Sequence, residues 1–171
     1  PNRQEHHKVH LVPFGEYLPL REYWPFSILR PLFPGDFDAG RSTEPLKFKD
    51  NISIIPLICF EDTVGRVARR FVREEPQMIV AISNDGWFIN SIETEMHQAN
   101  AIFRAVDLHR PMLRCSNIGV TCLIDDHGQV TSRLEDPVTH DSFIEGVLPG
   151  DVVIHGQEMT LYARWGDWFA L

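Results

Sequence analysis

Residues 52–59 read Ile-Ser-Ile-Ile-Pro-Leu-Ile-Cys, and Phe-Glu-Asp follows them directly. They are β-branched and almost entirely apolar, which is typical of a strand buried on both faces. An amphipathic helix is predicted from Thr63 to Glu74, because its apolar residues recur every three or four positions opposite a face of arginines. A second buried-type strand at 77–83 and a helix at 93–108, ended by Pro111, repeat the pattern. Strands that alternate with helices in this way predict a layered α/β sandwich.

The segments on either side of this central pattern are predicted to be shorter. Residues 112–125 and 129–134 predict two strands of a hairpin around Asp-Asp-His-Gly, with a last strand near 143–148. A short strand is also expected at 8–14. Residues 18–40 combine aromatic and aliphatic side chains with four prolines, which forbid a long helix. We therefore expect either an extended arm or a pair of short helical turns there.

The composition excludes some classes of function. Sixteen basic and 24 acidic residues give a formal charge of −8, which argues against a nucleic-acid partner because such proteins need a basic face for phosphates. The three cysteines and eight histidines follow no metal-binding spacing, so neither a metal nor another cofactor is expected. No run reaches the roughly 18–20 apolar residues of a bilayer span, and the polar start is unlike a signal peptide. The sequence therefore predicts a soluble domain.

Cys59 is the first candidate for chemistry because it ends a buried strand just before a predicted helix. A nucleophile at such a turn projects from the sheet edge, and the next backbone N–H groups face the position of an oxyanion. The same position also suits a small cysteine that only fills the core. Lys8 and Glu16 flank a turn forced by Pro13 and Gly15, and they suit either a held ion pair or an ordinary surface pair. The residue pattern by itself leaves both alternatives open for the cysteine and for the pair.

Several longer motifs occur along the chain in one order. They are Lys8-Val-His-Leu-Val-Pro-Phe-Gly-Glu16, Ile58-Cys-Phe-Glu61, Ser83-Asn-Asp-Gly-Trp-Phe88, Met96-His-Gln98, Phe103-Arg-Ala105 and Ser116-Asn-Ile-Gly119. Together they resemble the nitrilase, or carbon–nitrogen hydrolase, superfamily. The tail Leu161-Tyr-Ala-Arg-Trp-Gly-Asp-Trp168 and the string from Leu11 to Tyr17 narrow the resemblance to its apolipoprotein N-acyltransferase branch. The resemblance covers nearly the whole chain.

The resemblance implies a nitrilase-like αββα sandwich over residues 1–171 and a Glu-Lys-Cys triad. Cys59 matches the nucleophile of the family, Lys8 the lysine that steadies the oxyanion, and Glu16 a second glutamate that orients the site. The other residues expected to line the site are Phe60 and Glu61 after the nucleophile, Asn84 and Trp87 after the second strand, and Trp24 in the arm. Phe60 departs from the family pattern, which usually has tyrosine at that position.

A second departure lies at the start of the chain. The first glutamate of the family triad, the general base, lies well upstream of the lysine, whereas only seven residues precede Lys8. We therefore expect an incomplete sandwich, the C-terminal portion of the catalytic domain. Its first strands, its base and the flanking membrane helices would come from a missing N-terminal segment or a partner chain. The fragment alone is expected to be inactive, because thiol deprotonation needs a base within reach.

The function that the resemblance implies is transfer of a fatty acyl group through a thioacyl-cysteine intermediate. The donor would be a phospholipid, and the acceptor would be the N-terminal amine of a diacylglyceryl-cysteine apolipoprotein. The implied location is the bacterial inner membrane with this domain facing the periplasm, and the 18–40 arm is expected to be mobile and to meet the membrane surface. A soluble amidase or nitrilase with the same cysteine chemistry is one alternative. A non-catalytic domain that binds lipid or protein is the other.

Overall fold

The computed structural model describes residues 3–23, 25–32, 35–48, 51–75, 77–88, 91–155 and 158–170. Within these ranges the strands are β1 (Leu46–Lys47), β2 (Ser53–Ile58), β3 (Gln77–Ser83), β4 (Met112–Ser116), β5 (Cys122–Ile124) and β6 (Val130–Arg133). The α-helices are α1 (Gly65–Ala68), α2 (Glu93–Leu108) and α3 (Leu161–Trp165). Short 3-10 helices cover Phe26–Leu32, Cys59–Thr63, Arg69–Phe71, Gly86–Phe88 and Trp168–Ala170.

The described residues form a six-stranded sheet in the order β1-β2-β3-β4-β5-β6. Its centre is parallel, since β2, β3 and β4 all run the same way, with Ile58 opposite Ile82 at the end of the first pair. The outer pairs are antiparallel. Parallel neighbours bring the carboxyl ends of their strands to one edge of the sheet. The residues that follow β2 and β3, beginning with Cys59 and Asn84, therefore lie at the same edge.

The hydrophobic core lies between this sheet and the helical segments that pack on it. Helix α2 turns three fully buried residues inward, Ala101, Ala105 and Leu108. The core they join also contains Ile55, Leu57, Val67, Ala68, Phe71, Ile79, Met112, Val120 and Ile124. Because β2 and β3 are covered by this layer and by their neighbours in the sheet, their positions are fixed by packing as well as by hydrogen bonds. The edge that carries Cys59 is thus built on a rigid support.

The sequence predictions for the centre of the fold are confirmed. The strand at 77–83 and the helix at 93–108 have the predicted bounds, and the strand at 52–59 is one residue shorter at each end. The mixed α/β class is confirmed as well. These segments have the strongest periodicity, and packing in the folded chain agrees with their local pattern.

Two predicted elements are wrong because the chain breaks inside them. The helix expected at 63–74 is instead a 3-10 turn, the four-residue α1 and a second 3-10 turn. Val64 has φ −108° and ψ 88°, so no helical hydrogen-bond ladder continues through it. The strand expected at 112–125 is interrupted between β4 and β5, where Gly119 has a φ of +112° that reverses the chain at little steric cost.

Three further expectations concern the less regular segments. The predicted strand at 8–14 is wrong, since Pro13 forms only an isolated bridge with Tyr17. The strand near 143–148 is also wrong, and the described backbone there pairs with no strand. The arm contains the 3-10 helix Phe26–Leu32, which agrees with the alternative of short helical turns. Trp24 lies outside the described residues, and the mobility of the arm stays a prediction.

Candidate active site

Cys59 occupies a strained turn at the carboxyl end of β2. Its φ is +53°, in the left-handed region that a residue with a side chain enters at a steric cost of about 1–3 kcal/mol. The 3-10 turn Cys59–Thr63 begins at this residue, directly after the buried strand. A strained strand-to-helix turn of this kind holds a side chain out from the sheet edge, where a substrate can reach it. Cys59 is a free thiol and partly exposed, so it can act as a nucleophile.

Glu61 ties the N-terminal segment to this turn. Its carboxylate is fully buried and accepts hydrogen bonds from the backbone N–H groups of Val9 at 2.7 Å, His10 at 2.9 Å and Ile58 at 2.8 Å. Burial acts to raise the pKa of Glu61, but His6 and these three donors outweigh it, so the pKa lies below its usual range. Glu61 is thus an ionised clamp. It holds the segment that carries Lys8 against the strand that carries the thiol.

Lys8 and Glu16 form an ion pair, and the sequence left open whether that pair is held in place or solvated. The Lys8 Nζ atom lies 2.8 Å from Glu16 Oε1, and the two side chains are 10% and 24% exposed. Glu16 Oε2 accepts a further hydrogen bond from the Val12 backbone N–H at 2.8 Å. An ordinary surface pair keeps its charges in solvent, whereas this pair is largely desolvated and held on both carboxylate oxygens. The geometry therefore agrees with a positioned pair and not with a solvated one.

A cavity of about 550 Å³ joins these groups at the edge of the sheet. It is lined by Gly15, Glu16, Phe37, Ile58, Cys59, Ile82, Ser83, Asn84 and Trp87. The structure thus brings together Cys59, Glu16, Asn84 and Trp87 as the sequence predicted, and it adds Lys8 through its contact with Glu16. Trp87 is 78% exposed and forms an apolar wall at the mouth.

Two residues predicted to line the site lie beside it instead. Phe60 is absent from the described lining of the cavity, and its ring stacks on His10 with the centroids 6.1 Å apart. The Glu61 side chain points into the protein, where its buried carboxylate accepts a hydrogen bond from the Ile58 backbone N–H. Trp24, the remaining predicted lining residue, lies outside the described part of the chain.

A buried cluster of four charged groups supports the turn from behind: Asp62, Asp85, His97 and Arg114. The His97 ring bridges the two carboxylates, with Nε2 2.6 Å from Asp62 and Nδ1 2.9 Å from Asp85. Arg114 donates to the other oxygens of the same carboxylates, at 2.7 and 3.0 Å. Burial acts to lower the pKa of His97, but hydrogen bonds to Asp62 and Asp85 outweigh burial and raise it to about 9. Two anions and two cations therefore balance inside the protein near neutral pH.

This charge cluster joins four elements that come from distant parts of the sequence. Asp62 follows Cys59 by three positions, Asp85 lies in the turn after β3, His97 is on α2, and Arg114 is on β4. Breaking one member of such a set leaves the others buried without a partner, which is strongly unfavourable. The cluster therefore holds the Cys59 turn and the turn after β3 at a fixed separation.

The other two cysteines differ from Cys59 in their surroundings. Cys122 is fully buried on β5, and burial raises the pKa of its thiol to about 11, so it stays protonated and unreactive. Cys115 is exposed on β4 and lies outside the described lining of the cavity. All three thiols are free. Of the three cysteines, Cys59 is thus the one that lines the cavity.

Sequence reasoning missed several residues that matter to the site. The buried cluster was not predicted, because its members are charged and lie up to 52 positions apart, and no periodicity links them. Phe37 and Ile82 also line the cavity without having been singled out. Ile82 could have been predicted from its position near the end of β3, because β3 pairs with the strand that leads to Cys59. Phe37 gave no signal beyond its apolar character.

Neither a metal-holding group nor a membrane span is found at the site within the described residues. The group of histidine and carboxylate side chains close enough to hold a metal ion is at residues 125–127, and none of these lines the Cys59 cavity. Within the described part of the chain, no helix combines the length and the apolar character that a membrane crossing requires.

Known proteins resemble this chain over most of its length. The model of the carbon-nitrogen hydrolase family matches residues 2–148. An apolipoprotein N-acyltransferase of Geobacter metallireducens is 38% identical over 95% of this chain and 30% of its own length. Apolipoprotein N-acyltransferase 1 of Treponema denticola is 31% identical over 100% of this chain and 31% of its own length. The chain thus spans about 30% of the length of these curated relatives.

A solved structure is also similar. A carbon-nitrogen hydrolase from Helicobacter pylori G27 aligns with 57% of this chain and 41% of its own, at a TM-score of 0.48 and 12% sequence identity.

Proposed function

Because this chain belongs to the carbon–nitrogen hydrolase family, we propose that it supplies the nucleophile of an apolipoprotein N-acyltransferase. The reaction is transfer of a fatty acyl group from a phospholipid to the N-terminal amine of a diacylglyceryl-cysteine lipoprotein. The observation that carries the proposal is the cavity in which the strained Cys59 turn meets Glu16, with Lys8 bound to that glutamate. The names of relatives that are 31–38% identical support this reaction over others in the family.

In the first half of the reaction, the Cys59 thiolate attacks the carbonyl carbon of a phospholipid ester. A tetrahedral intermediate forms with a negative oxygen, and its collapse breaks the ester C–O bond. The products are a thioester on Cys59 and a lysophospholipid, whose alkoxide oxygen takes up a proton. Splitting the transfer into two acyl exchanges avoids direct attack of the free amine on an unactivated oxygen ester.

In the second half, the free α-amine of the lipoprotein attacks the thioester carbon. The C–S bond breaks, an amide forms, the amine gives up a proton and the thiol is restored. The cavity can serve both halves because both intermediates share one acyl carbon bonded to the same sulfur.

We assign the oxyanion to Lys8 and to the backbone N–H of Phe60. The Lys8 ammonium donates a hydrogen bond to Glu16, which fixes the direction in which it points. The Phe60 N–H is the first donor after the nucleophile, in the 3-10 turn. Loss of one donor of this kind costs roughly 3–4 kcal/mol in the transition state. Glu16 is a positioning residue in this scheme, because its contact with the chemistry runs through Lys8.

The proposed setting is the surface of the bacterial inner membrane, with this domain on its periplasmic side. Large apolar side chains around the cavity and in the arm support a lipid environment. Trp87 is 78% exposed, Phe37 66% and Leu32 73%. Side chains of this kind at the mouth would let an acyl chain leave a bilayer and enter the cavity without crossing much water.

A soluble amidase is the second candidate, since the family description names carbon–nitrogen hydrolysis. It would use the same thiol and lysine but would accept an amide as substrate and water as the final nucleophile. The two functions differ in their products, so one experiment can separate them.

The experiment is to incubate the intact protein in lipid with a phospholipid that carries a labelled acyl chain. We expect the label to appear on Cys59 as a thioester and then on the amine of an added diacylglyceryl-cysteine peptide. Cys59→Ala should do neither, while Cys115→Ala, which removes an exposed thiol outside the cavity, should do both. Transfer by Cys59→Ala at the normal rate would refute the assignment. Release of free fatty acid without peptide acylation would favour the hydrolase.

A further inference from the structure

Helix α3 and the segment that begins with α1 together form a surface rich in arginine and tryptophan. An open cleft of about 580 Å³ on this surface is lined by Arg69, Arg164, Trp165 and Trp168. The two indole rings meet edge to face, with their centroids 6.1 Å apart. None of the four is among the described residues that line the Cys59 cavity, so this arginine–tryptophan face is a separate surface.

The face exposes large apolar side chains. Leu161 and Trp165 are each 59% exposed, and Trp168 is 54% exposed. Leu161 and Trp165 are four positions apart on α3, which places them on the same side of the helix. A tryptophan ring is apolar over most of its area and has one N–H donor, so it suits a boundary between water and lipid.

Arg69 fixes this part of the chain to the rest of the domain. Its Nε donates to the carbonyl oxygens of Tyr162 at 2.9 Å and Ala163 at 3.0 Å, and its Nη2 donates to that of Arg164 at 2.8 Å. Carbonyl oxygens in the last turn of a helix have no partner within the helix, so these bonds satisfy them. The face is therefore a fixed surface, and its tryptophans are held against the segment that follows α1.

The arginines of the face lack carboxylate partners. Arg66 and Arg70 are exposed and lie about one helical turn apart, next to Arg69. Within the described part of the chain, neither these two residues nor Arg69 and Arg164 form an ion pair. Most other described arginines do form one: Arg3, Arg21, Arg73, Arg104, Arg114 and Arg133. In a chain with a formal charge of −8, the face is a local concentration of positive charge.

One carboxylate, that of Asp167, belongs to the same tail. It is not among the described residues that line the cleft. Its charge acts instead on Asp107 of α2 and on Tyr162, which packs against the core. The positive charge of the cleft therefore stays available to an anion from outside.

We propose that the arginine–tryptophan face docks on an anionic phospholipid bilayer, with its arginines on lipid phosphates and its indole rings among the headgroups. A guanidinium group binds phosphate oxygens through two parallel hydrogen bonds. Basic side chains are attracted to an anionic lipid surface, and tryptophan is enriched where lipid meets water. The inference rests on the proposed function for its membrane setting, and it adds the surface that orients the domain on the lipid.

Two other occupants fit the face less well. A nucleic acid would be repelled by a protein whose formal charge is −8. A second copy of this chain, related by a two-fold axis, would place the same arginines opposite one another, and like charges across an interface oppose binding. A bilayer supplies the phosphates for the arginines and the apolar phase for the tryptophans in one surface.

The test measures co-sedimentation of the 171-residue protein with vesicles. We expect roughly tenfold tighter binding to vesicles that contain phosphatidylglycerol than to phosphatidylcholine alone, and weaker binding as salt is raised. Each arginine near the surface contributes about fivefold, so the double variant Arg66→Gln with Arg164→Gln should bind roughly 25-fold more weakly. Trp165→Ala should weaken binding several-fold. Arg69 is kept, because its loss would also free the three carbonyl oxygens that it binds.

Two matched controls test whether position matters. Arg41→Gln removes an exposed arginine that also has no ion pair within the described residues and does not line the cleft. Phe48→Ala removes an aromatic side chain from a residue that is 55% exposed and lies outside the face. Both controls should bind vesicles as the unchanged protein does, and thermal unfolding shows that each variant is folded.

Several results would overturn the inference. Equal binding to the two kinds of vesicle, or equal binding by the unchanged protein and the double variant, would remove the face as the docking surface. Release from vesicles by inorganic phosphate at constant ionic strength would indicate a site for small anions instead. A dimer in lipid-free solution that Arg164→Gln abolishes would assign the face to a second copy.

Acyl transfer is a separate readout that distinguishes this inference from the proposed function. Vesicle binding that depends on the face, without transfer by the intact protein, would contradict the proposed function and support the docking surface. Transfer by the intact protein, with equal vesicle binding by the unchanged protein and the double variant, would contradict the docking surface alone.

Discussion

The charge of His97 makes the stability of this protein depend on pH in a predictable direction. The ring is 7% exposed and lies between Asp62 and Asp85. Burial disfavours its positive charge, but the hydrogen bonds to the two carboxylates outweigh burial and raise its pKa to about 9. In the unfolded chain the ordinary pKa is about 6.5. The folded state therefore keeps a proton that the unfolded state loses, and the stabilisation is complete below pH 6.5 and disappears as the pH rises through 9.

The size of the effect follows from the two pKa values. One pKa unit is equivalent to about 1.4 kcal/mol, so the difference between 6.5 and about 9 corresponds to about 3 kcal/mol. Between these values the free energy of unfolding should fall by up to about 1.4 kcal/mol for each pH unit. This is a large share of the roughly 5–15 kcal/mol that stabilises an ordinary domain.

Urea unfolding at several pH values measures this slope directly. The comparison is between the unchanged protein and His97→Gln, which keeps a hydrogen-bonding side chain but cannot carry the charge. At pH 6.5 the variant should be less stable, because Asp62 and Asp85 then share Arg114 alone. The gap between the two proteins should close by about 3 kcal/mol on going to pH 9.

The pH range and a control variant make the result of this experiment specific to His97. The series stops near pH 9, because burial raises the pKa of Cys122 to about 11 and unfolding above pH 9 would ionise that thiol in both proteins. His140→Gln is the control for the loss of a histidine, because His140 is 72% exposed and lies outside the buried cluster. If the unchanged protein and His97→Gln lose stability in parallel across this range, the buried protonated histidine is refuted.

Three further predictions follow from other parts of the structure. Glu16→Gln should lower the rate of acyl transfer roughly 10²-fold, as measured by single-turnover acylation, because Lys8 loses its anionic anchor. Gly119→Ala should destabilise the protein by about 1–3 kcal/mol in thermal unfolding, because φ is +112° and the added carbon would lie 3.0 Å from the Asp85 carboxylate. Phe71→Ala should cost about 3–5 kcal/mol in urea unfolding, because the ring is fully buried in the core.

The sequence predicted those parts of the fold in which local pattern and final packing agree. The helix at 93–108 has small and apolar residues on one face, and that face is the one buried against the sheet. The strand at 77–83 reads as buried and lies at the centre of the sheet. The predicted helix at 63–74 is wrong because tertiary contacts overrode a good amphipathic pattern. Its first residues are drawn into the turn that Glu61 and Asp62 anchor, so the helical stretch begins only after Val64, and it ends at Val72, whose backbone is extended.

The cluster of histidine rings around Asp126 shows a different limit of sequence reasoning. The histidines at 109, 127 and 155 lie far apart along the chain and follow no regular spacing. Folding places the end of α2, the β5–β6 turn and the segment after β6 side by side, so all three rings reach Asp126. Proximity of this kind depends on strand order and helix length together. A pattern read along one segment contains neither quantity.

The two acidic residues Glu61 and Asp62 explain how the chain tolerates strain at Cys59. Glu61 and Asp62 are adjacent and both fully buried, yet they bind opposite parts of the protein. Glu61 accepts from the N-terminal segment at Val9 and His10, whereas Asp62 accepts from His97 and Arg114 on the far side. A left-handed φ at Cys59 costs about 1–3 kcal/mol, and it persists only where the surroundings over-determine the backbone. Each clamp supplies such a restraint, so weakening either one should relax the turn that carries the Cys59 thiol.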